Sequence, residues 1–167
     1  MRVLGIDCGT EYTGYGVVEL RSKGDLHCCT CGAIKLTPRD PMPERLSKIF
    51  RSLQATISRY QPDHVSIEDV FYAANVKSAL KLGQVRGVAM LAASTAGLPV
   101  AEYSPLSIKS AVVGYGRADK IQVQHMVTRL LGLDAPPDSP DAADALAIAI
   151  CHLHTSATLQ LQAATAR

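Results

Sequence analysis

The chain has 167 residues, of which 47% are hydrophobic and 19% are charged, and its formal net charge is +2. This length is typical of one compact domain, and so small a net charge argues against binding nucleic acid by bulk charge alone. Five cysteines are too few for a disulfide scaffold, and neither a signal peptide nor an apolar run of about 20 residues is evident, so we expect a reduced, cytoplasmic protein without a membrane span.

Hydrophobic patterns predict five strands and five helices along the chain. The first three strands are joined by turns and should form an antiparallel meander. Later strands and helices alternate, which predicts a mixed sheet with helices on its faces. We expect one α/β domain over residues 1–155 and a frayed tail over residues 156–167. In chain order the predicted elements are strands 3–6, 15–20 and 27–36, helix 41–60, strand 64–68, helix 76–97, strand 98–103, and helices 105–113, 119–131 and 140–155.

The predicted helix after Asn75 is apolar nearly all round. Ala79, Gly83 and Gly87 follow one another at intervals of four residues and form a stripe of small side chains. Such a helix lies in the centre of a core or packs closely against a partner. Residues 76–96 are therefore the candidate for part of an interface with a partner chain.

Four acidic residues stand where strands end or where a helix begins. Asp7 ends the first predicted strand, Glu68 ends the fourth, and Asp141 and Asp144 share one face of the last helix. If the first and fourth strands are parallel neighbours, their acids meet at the sheet edge where ligands bind in α/β proteins. Oxygen ligands favour Mg²⁺ or Mn²⁺ over Zn²⁺, and two such ions would stabilise the oxygens of a phosphoryl displacement.

Each of these acids also has an ordinary structural explanation. Asp7 could cap the turn that follows it, and Glu68 could be a solvated strand end. Asp141 and Asp144 could be first-turn acids favoured by the helix dipole. Spacing alone does not show that the four converge, so both interpretations stay open at this point.

Five motifs resemble the RuvC family of Holliday junction resolvases, in the order and spacing of that family. The resemblance runs from the first strand to about residue 154. The first motif alone would also suit an actin-like ATPase or another ribonuclease H-like protein. The motifs are LGIDCGT at 4–10, IEDVF at 67–71, SALKLGQ at 78–84, QVQHMV at 122–127 and DAADALA at 141–147.

The resemblance implies a ribonuclease H-like fold with a five-stranded mixed sheet. It also implies a homodimer that binds four-way DNA junctions, nicks two opposing strands with Mg²⁺, and works with the branch-migration proteins RuvA and RuvB. Mn²⁺ is the expected substitute, with two ions per site during catalysis. The acids that match the family's catalytic, metal-holding positions are Asp7, Glu68, Asp141 and Asp144.

The resemblance also indicates DNA contacts. Phe71 follows Glu68 and matches an aromatic that stacks on a base at the junction centre, and Tyr72 stands beside it. Lys109 and Lys120 match lysines near the scissile phosphate. Weaker candidates for backbone contacts are Lys81 and Arg117.

Two positions depart from the family pattern. Cys8 stands where proline is common, and an inert small residue is the favoured interpretation. Ala74 stands where lysine is frequent, with Lys77 one turn later as a candidate substitute. Arg86 is a further candidate for a backbone contact, although a solvated helix face is the favoured explanation, and His125 is expected to be structural within an apolar helical pattern.

Cys28, Cys29 and Cys31 lie together in the third predicted strand. Side chains alternate along a strand, so Cys29 and Cys31 should share a face and Cys28 should point the other way. No second cysteine pair follows, which disfavours a zinc site. Half-buried strand residues are the favoured interpretation.

Three functions are therefore weighed: a junction-resolving endonuclease, a junction-binding protein without catalysis, and an actin-like nucleotide-binding fragment. The charge distribution supports a nucleic-acid ligand, because residues 1–76 sum to zero, residues 77–129 to +5 and residues 130–167 to −3, which together give the +2 of the chain. The middle segment suits phosphates, and the last one carries acids that a bound metal would offset.

Overall fold

The fold is seen in a computed structural model, which describes residues 1–22, 24–69 and 75–165, with the side chains of these residues up to Ser156. Phe71, Tyr72 and Ala74 lie outside the described residues. The elements are β1 (Arg2–Asp7), β2 (Tyr12–Leu20), β3 (Leu26–Lys35), α1 (Met42–Tyr60), β4 (His64–Glu68), α2 (Val76–Thr95), β5 (Val100–Tyr103), α3 (Pro105–Val113), α4 (Lys120–Leu130) and α5 (Pro140–Thr165).

The five strands form one mixed sheet in the order β3-β2-β1-β4-β5. The pairs β1–β2 and β2–β3 are antiparallel, while β1–β4 and β4–β5 are parallel. The expected meander and mixed sheet are confirmed. In the β1–β4 register Ile6 lies beside Ile67, so the following residues, Asp7 and Glu68, come to the same edge of the sheet.

The sheet separates two apolar layers. Leu4 and Ile6 point to the layer that contains α1 and the inner face of α2, and both are fully buried. Val3, also fully buried, points to the opposite layer, which α3, α4 and α5 fill. This alternation follows from the pleat of a strand that is covered on both faces.

Helix α5 lies closest to the sheet and packs against all five strands. Its approach requires glycine in the strands beneath it. A Cβ atom on Gly5 would overlap the main-chain oxygen of Ala145, and one on Gly14 would overlap the main-chain oxygen of Asp141. The hydroxyl of Ser66 in β4 donates to the carbonyl of Ile148, at 3.3 Å. Backbone contacts therefore set the height of α5 above the strands.

Three details differ from the sequence predictions. Strand β2 begins at Tyr12, before the predicted start at residue 15. Helix α5 continues to Thr165, beyond the predicted end near Thr155, because the added residues include good helix formers and no proline or glycine. Among the described helices, none has the length and hydropathy needed to cross a bilayer.

The third difference is a β-bulge in β3. Val18 pairs with Cys28 while Val17 pairs with Thr30, so Cys29 is an extra residue in the ladder. Cys28 and Cys31 consequently pack against the layer of α5, and Cys29 packs against the opposite layer. The predicted alternation was wrong here, because an inserted residue reverses the faces that follow it. All five cysteines are free thiols.

Candidate active site

Acidic and basic side chains meet in a cleft at the carboxyl edge of the parallel strands. Asp7 comes from the end of β1, Glu68 from the end of β4, and Asp144 from the first turns of α5. The cleft has a volume of about 260 Å³, and its walls are formed by Asp7, Glu68, Pro105, Ile108, Lys109, Lys120, Val123, Asp144, Ala147 and Ile148.

The start of α5 is fixed by its own sequence. Pro140 is the first residue of the helix, where a missing N–H has no cost. The Ser139 hydroxyl accepts a hydrogen bond from the Ala142 amide at 3.1 Å, as a helix cap does. The helix therefore begins where Asp141 and Asp144 fall in its first turns, above the ends of the strands.

The electrostatics of Asp7 show that the acids converge. Burial, followed by the charges of Asp144, Glu68 and Asp141, raises the pKa of the Asp7 carboxyl from 3.8 to about 7. All three other predicted acids thus act on Asp7, although Asp141 affects it through charge and does not line the cleft. Three of the four acids therefore line one cleft, and Asp141 lies near enough for its charge to act on Asp7.

Two lysines offset part of this negative charge. Lys120 Nζ donates a hydrogen bond to Asp144 Oδ2 at 3.2 Å, and the charge of Asp144 raises the pKa of Lys120. Burial and the charge of Asp144 raise the pKa of Glu68, against the effects of Lys120 and Lys109. A capping box of Asp119 and Gln122 starts α4 at Lys120, so the lysine projects from a fixed helix end.

The donor set has the chemistry of a hard-cation site. Every acidic ligand is an oxygen donor, which Mg²⁺ and Mn²⁺ prefer. The raised pKa of Asp7 reflects burial and then repulsion among carboxylates, and a bound cation would offset both. The acids line the cleft without closing around a common point. Within residues 1–22, 24–69 and 75–156, no three acidic, histidine or cysteine side chains stand together as ligands of one metal ion.

Arg86 is a site residue that the sequence analysis missed. Its guanidinium donates to the main-chain oxygen of Glu68 at 2.7 Å. It also pairs with Asp69 at 3.4 Å and with Glu102. Only 15% of its side chain is exposed, so the expected solvated position was wrong. An arginine in an otherwise largely apolar helix was the available signal, but its partners lie at the end of β4, just after it and in β5.

The remaining predicted residues are distributed around this cleft. Lys81 and Arg117 are exposed and do not line it. His125 is also exposed, because α4 buries Val123 and Val127 instead, so the prediction that it is structural was wrong. Burial and the charge of Asp7 raise the pKa of the Cys8 thiol to about 12, which keeps it protonated and supports its interpretation as an inert small residue.

Comparison with known proteins places this site in a family. The family profile described as "Crossover junction endodeoxyribonuclease RuvC" matches residues 3–152. The protein of that name from Koribacter versatilis is 64% identical over 159 residues, which are 95% of this chain and 96% of that protein.

Solved structures agree with the profile. The Thermus thermophilus RuvC structure has a TM-score of 0.88 at 35% identity, covering 95% of this chain and 96% of that chain. T. thermophilus RuvC in complex with Holliday junction substrate has a TM-score of 0.87 at 32% identity, with the same coverage. The expected ribonuclease H-like fold is confirmed. Matching in sequence and in fold over nearly its whole length, the chain belongs to the RuvC family of crossover junction endodeoxyribonucleases.

Proposed function

We propose that the chain resolves Holliday junctions in DNA recombination and repair, by metal-dependent hydrolysis of one phosphodiester in each of two opposing strands. The observation that carries this proposal is the convergence of the acids and two lysines in one cleft of a RuvC family member. The junction complex of T. thermophilus RuvC supports the choice of substrate. Residues 1–155 are the proposed catalytic domain.

The acids are the proposed metal ligands and catalytic residues. Asp7, Glu68 and Asp144 line the cleft and would hold Mg²⁺, or Mn²⁺ as a substitute, with Asp141 adding charge. When bound, two such ions supply the positive charge that stabilises the attacking and leaving oxygens of the displacement. The raised pKa of Asp7 suits a carboxyl that must exchange its proton for a cation near neutral pH.

The lysines are the proposed contacts to the scissile phosphate. Lys109 and Lys120 stand in the wall of the same cleft as the acids. A phosphate that enters the cleft would compete with Asp144 for the Lys120 ammonium, which the Asp144 carboxylate now holds. Weaker contacts to the DNA backbone are proposed for Lys81 and Arg117, and base stacking is proposed for Phe71 and Tyr72.

The protein is proposed to act as a homodimer, because a four-way junction has approximate two-fold symmetry and a C₂ dimer presents two matching sites. Helix α2 offers a surface for this contact. The exposed fractions of Val76 and Leu80 are 75% and 65%. Gly83 and Gly87 face open space, with no atom of the described residues within 4 Å of a Cβ built on either. We further propose a cytoplasmic location and cooperation with RuvA and RuvB.

The test uses a synthetic four-way junction with Mg²⁺. The wild-type chain should make paired nicks in opposing strands, and Asp7→Asn should reduce their rate by roughly 100-fold or more, because a lost ligand removes several kcal/mol of charge stabilisation. Asp40→Asn is the matched control, since Asp40 is an exposed loop acid, and it should cut normally.

Two results would contradict the assignment. Cleavage that is unaffected by Asp7→Asn would exclude the proposed metal site. Tight junction binding without cleavage by the wild-type chain, under every divalent ion and with varied junction sequences, would indicate the junction-binding protein without catalysis.

A further inference from the structure

Beyond the active-site cleft, β3 carries a pair of thiols that the proposed function does not use. Cys28 and Cys31 are both half-buried, and β3 forms one edge of the sheet. Both thiols pack on the face that α5 covers. Cys29 lies between them in sequence but packs against the opposite layer. The bulge thus selects one pair out of three neighbouring cysteines.

The ladder gives the spacing of the pair. Cys28 is the partner of Val18, and Cys31 is the partner of Gly16. The two cysteines therefore stand two ladder steps apart, which corresponds to about 6.8 Å along an antiparallel strand. This value lies at the upper end of the Cα separations found in disulfides, roughly 4.4–6.8 Å. In a regular strand, residues three positions apart would face opposite sides of the sheet and could not pair.

The thiols also interact electrostatically. A hydrogen bond between them raises the pKa of Cys28, which acts as the donor, and lowers the pKa of Cys31. Burial and the charge of Asp138 oppose the lowering at Cys31. The arrangement places an attacking sulfur and a resolving sulfur on one face of the strand, as redox-active cysteine pairs require.

We propose that Cys28 and Cys31 form a reversible disulfide on exposure to hydrogen peroxide, which makes the bulge of β3 an oxidation site. The Cys31 thiolate attacks one peroxide oxygen, breaks the O–O bond and becomes a sulfenic acid, with hydroxide as the leaving group. The Cys28 thiol then gives up its proton as its sulfur attacks the sulfenic sulfur, and the S–S bond forms as the sulfenic oxygen leaves with that proton as water. The two cysteines lose two electrons and two protons, and the peroxide is reduced to two waters.

The experiment treats the native full-length chain with hydrogen peroxide, then alkylates the remaining thiols under denaturing conditions and digests with trypsin. Residues 24–35 form one peptide that contains all three cysteines. We expect this peptide to carry a single alkyl group, on Cys29, and to regain three alkyl sites after reduction with dithiothreitol. Loss of the free Cys28 and Cys31 thiols should be roughly tenfold faster than loss of the buried Cys151 thiol, whose pKa burial raises.

The matched variants are Cys28→Ser, Cys29→Ser and Cys31→Ser. Only Cys29→Ser should retain the disulfide. A disulfide in Cys28→Ser or Cys31→Ser, an alkyl group on Cys28 or Cys31 in the oxidised wild type, an interchain disulfide, or no disulfide would each overturn the proposal. The same treatment in urea should yield mixed pairings. An identical pairing in the unfolded chain would show that the bulge is not responsible, which also overturns it.

Discussion

Helices α2 and α5 are similar in their apolar composition, but they lie on opposite faces of the sheet. Both are apolar nearly all round, yet residues 142–153 of α5 are covered by their own chain on nearly every side, while α2 is covered on one side. Ala142, Ala145 and Leu146 belong to a nearly continuous buried stretch at the start of α5. In α2 the buried residues are Val85, Ala89, Ala92 and Ala93, while Val76, Leu80 and Leu91 are exposed. A helix that is apolar on all sides therefore indicates that its surface is to be buried, but it does not indicate whether the same chain or a partner buries it.

The placement of glycine explains the difference. The glycines that accommodate α5 are in the strands beneath it, where Gly5 and Gly14 leave room for its backbone. The glycines of α2 are in the helix itself, and Gly83 and Gly87 face outward. The strand glycines thus allow α5 to approach the sheet closely, whereas the glycines of α2 leave an open surface on that helix.

The largest expected effect is on the contact between α5 and the sheet. Gly5→Ala should lower the free energy of unfolding by about 3 kcal/mol or more, because the new Cβ meets main-chain atoms that cannot move aside as a side chain would. Urea denaturation followed by circular dichroism measures the change. A loss no greater than that of Gly83→Ala on α2 would show that the backbone contact is looser than described.

The next effect concerns the residue by which α2 reaches the active site. Arg86→Ala should reduce the cleavage rate by about tenfold and the free energy of unfolding by about 1–2 kcal/mol, because the Glu68 carbonyl loses a donor. The ion pairs contribute less to the free energy of unfolding, because the side chains of Asp69 and Glu102 are 43% and 41% exposed.

The control for this change is Lys81→Ala, which removes an exposed base from the same helix. Lys81→Ala should weaken binding to the junction and leave the maximal cleavage rate unchanged. The two variants are compared by single-turnover cleavage at saturating protein. Equal maximal rates for both would contradict a positioning role for Arg86.

A further effect is expected at Asp7, which folding buries beneath the acids of α5. Folding raises the pKa of Asp7 to about 7, so between about pH 4 and pH 7 the folded chain holds a proton that the unfolded chain has released. Without metal, the free energy of unfolding should therefore fall as pH rises through this window, by up to about 4 kcal/mol.

Urea titrations in the presence of a chelator, at several pH values, measure this dependence. Asp7→Asn should flatten the pH dependence, and added Mg²⁺ should restore stability at neutral pH in the wild type only. A stability that rises through the same window in the wild type relative to Asp7→Asn would contradict the sign of the shift.

The smallest effect concerns the open face of α2. Gly87→Ala should stabilise the monomer by about 0.5–1 kcal/mol, because alanine restricts the unfolded chain and its Cβ meets nothing in the described residues. If this face packs against a second copy, the same change should weaken the dimer. Thermal unfolding at low concentration and sedimentation velocity separate the two outcomes, and destabilisation of the monomer would contradict the assignment of an open face.

The sequence was sufficient for the strand ends, because their signals are local. A short apolar run ends at Asp7, an alternating one ends at Glu68, and parallel pairing brings such ends together. The first-turn positions of Asp141 and Asp144 likewise follow from the cap at Ser139 and from Pro140. The motif resemblance then supplied the family, which similarity over residues 3–152 confirmed.

Other features depend on contacts between distant segments. Arg86 bonds to the Glu68 carbonyl across 18 positions of sequence, and nothing near it in the chain indicates this partner. The bulge at Cys29 comes from pairing with β2, so a pattern confined to β3 assigned its faces incorrectly. The apolar character of α5 did not show that it would be the central helix, since α2 has the same character.

The contact of Gly14 with the Asp141 carbonyl, and of Gly5 with the Ala145 carbonyl, has a consequence for how the protein tolerates change. Main chain rests on main chain at the turns of α5 that carry the acids, so direct backbone contact helps to set the height of these carboxylates above β1 and β2. Aliphatic residues elsewhere in the two layers can be exchanged at a cost in stability, while the spacing of Asp7 and Asp144 is preserved. Substitutions among the core side chains can thus change the stability of the fold while the spacing of the active-site carboxylates is kept.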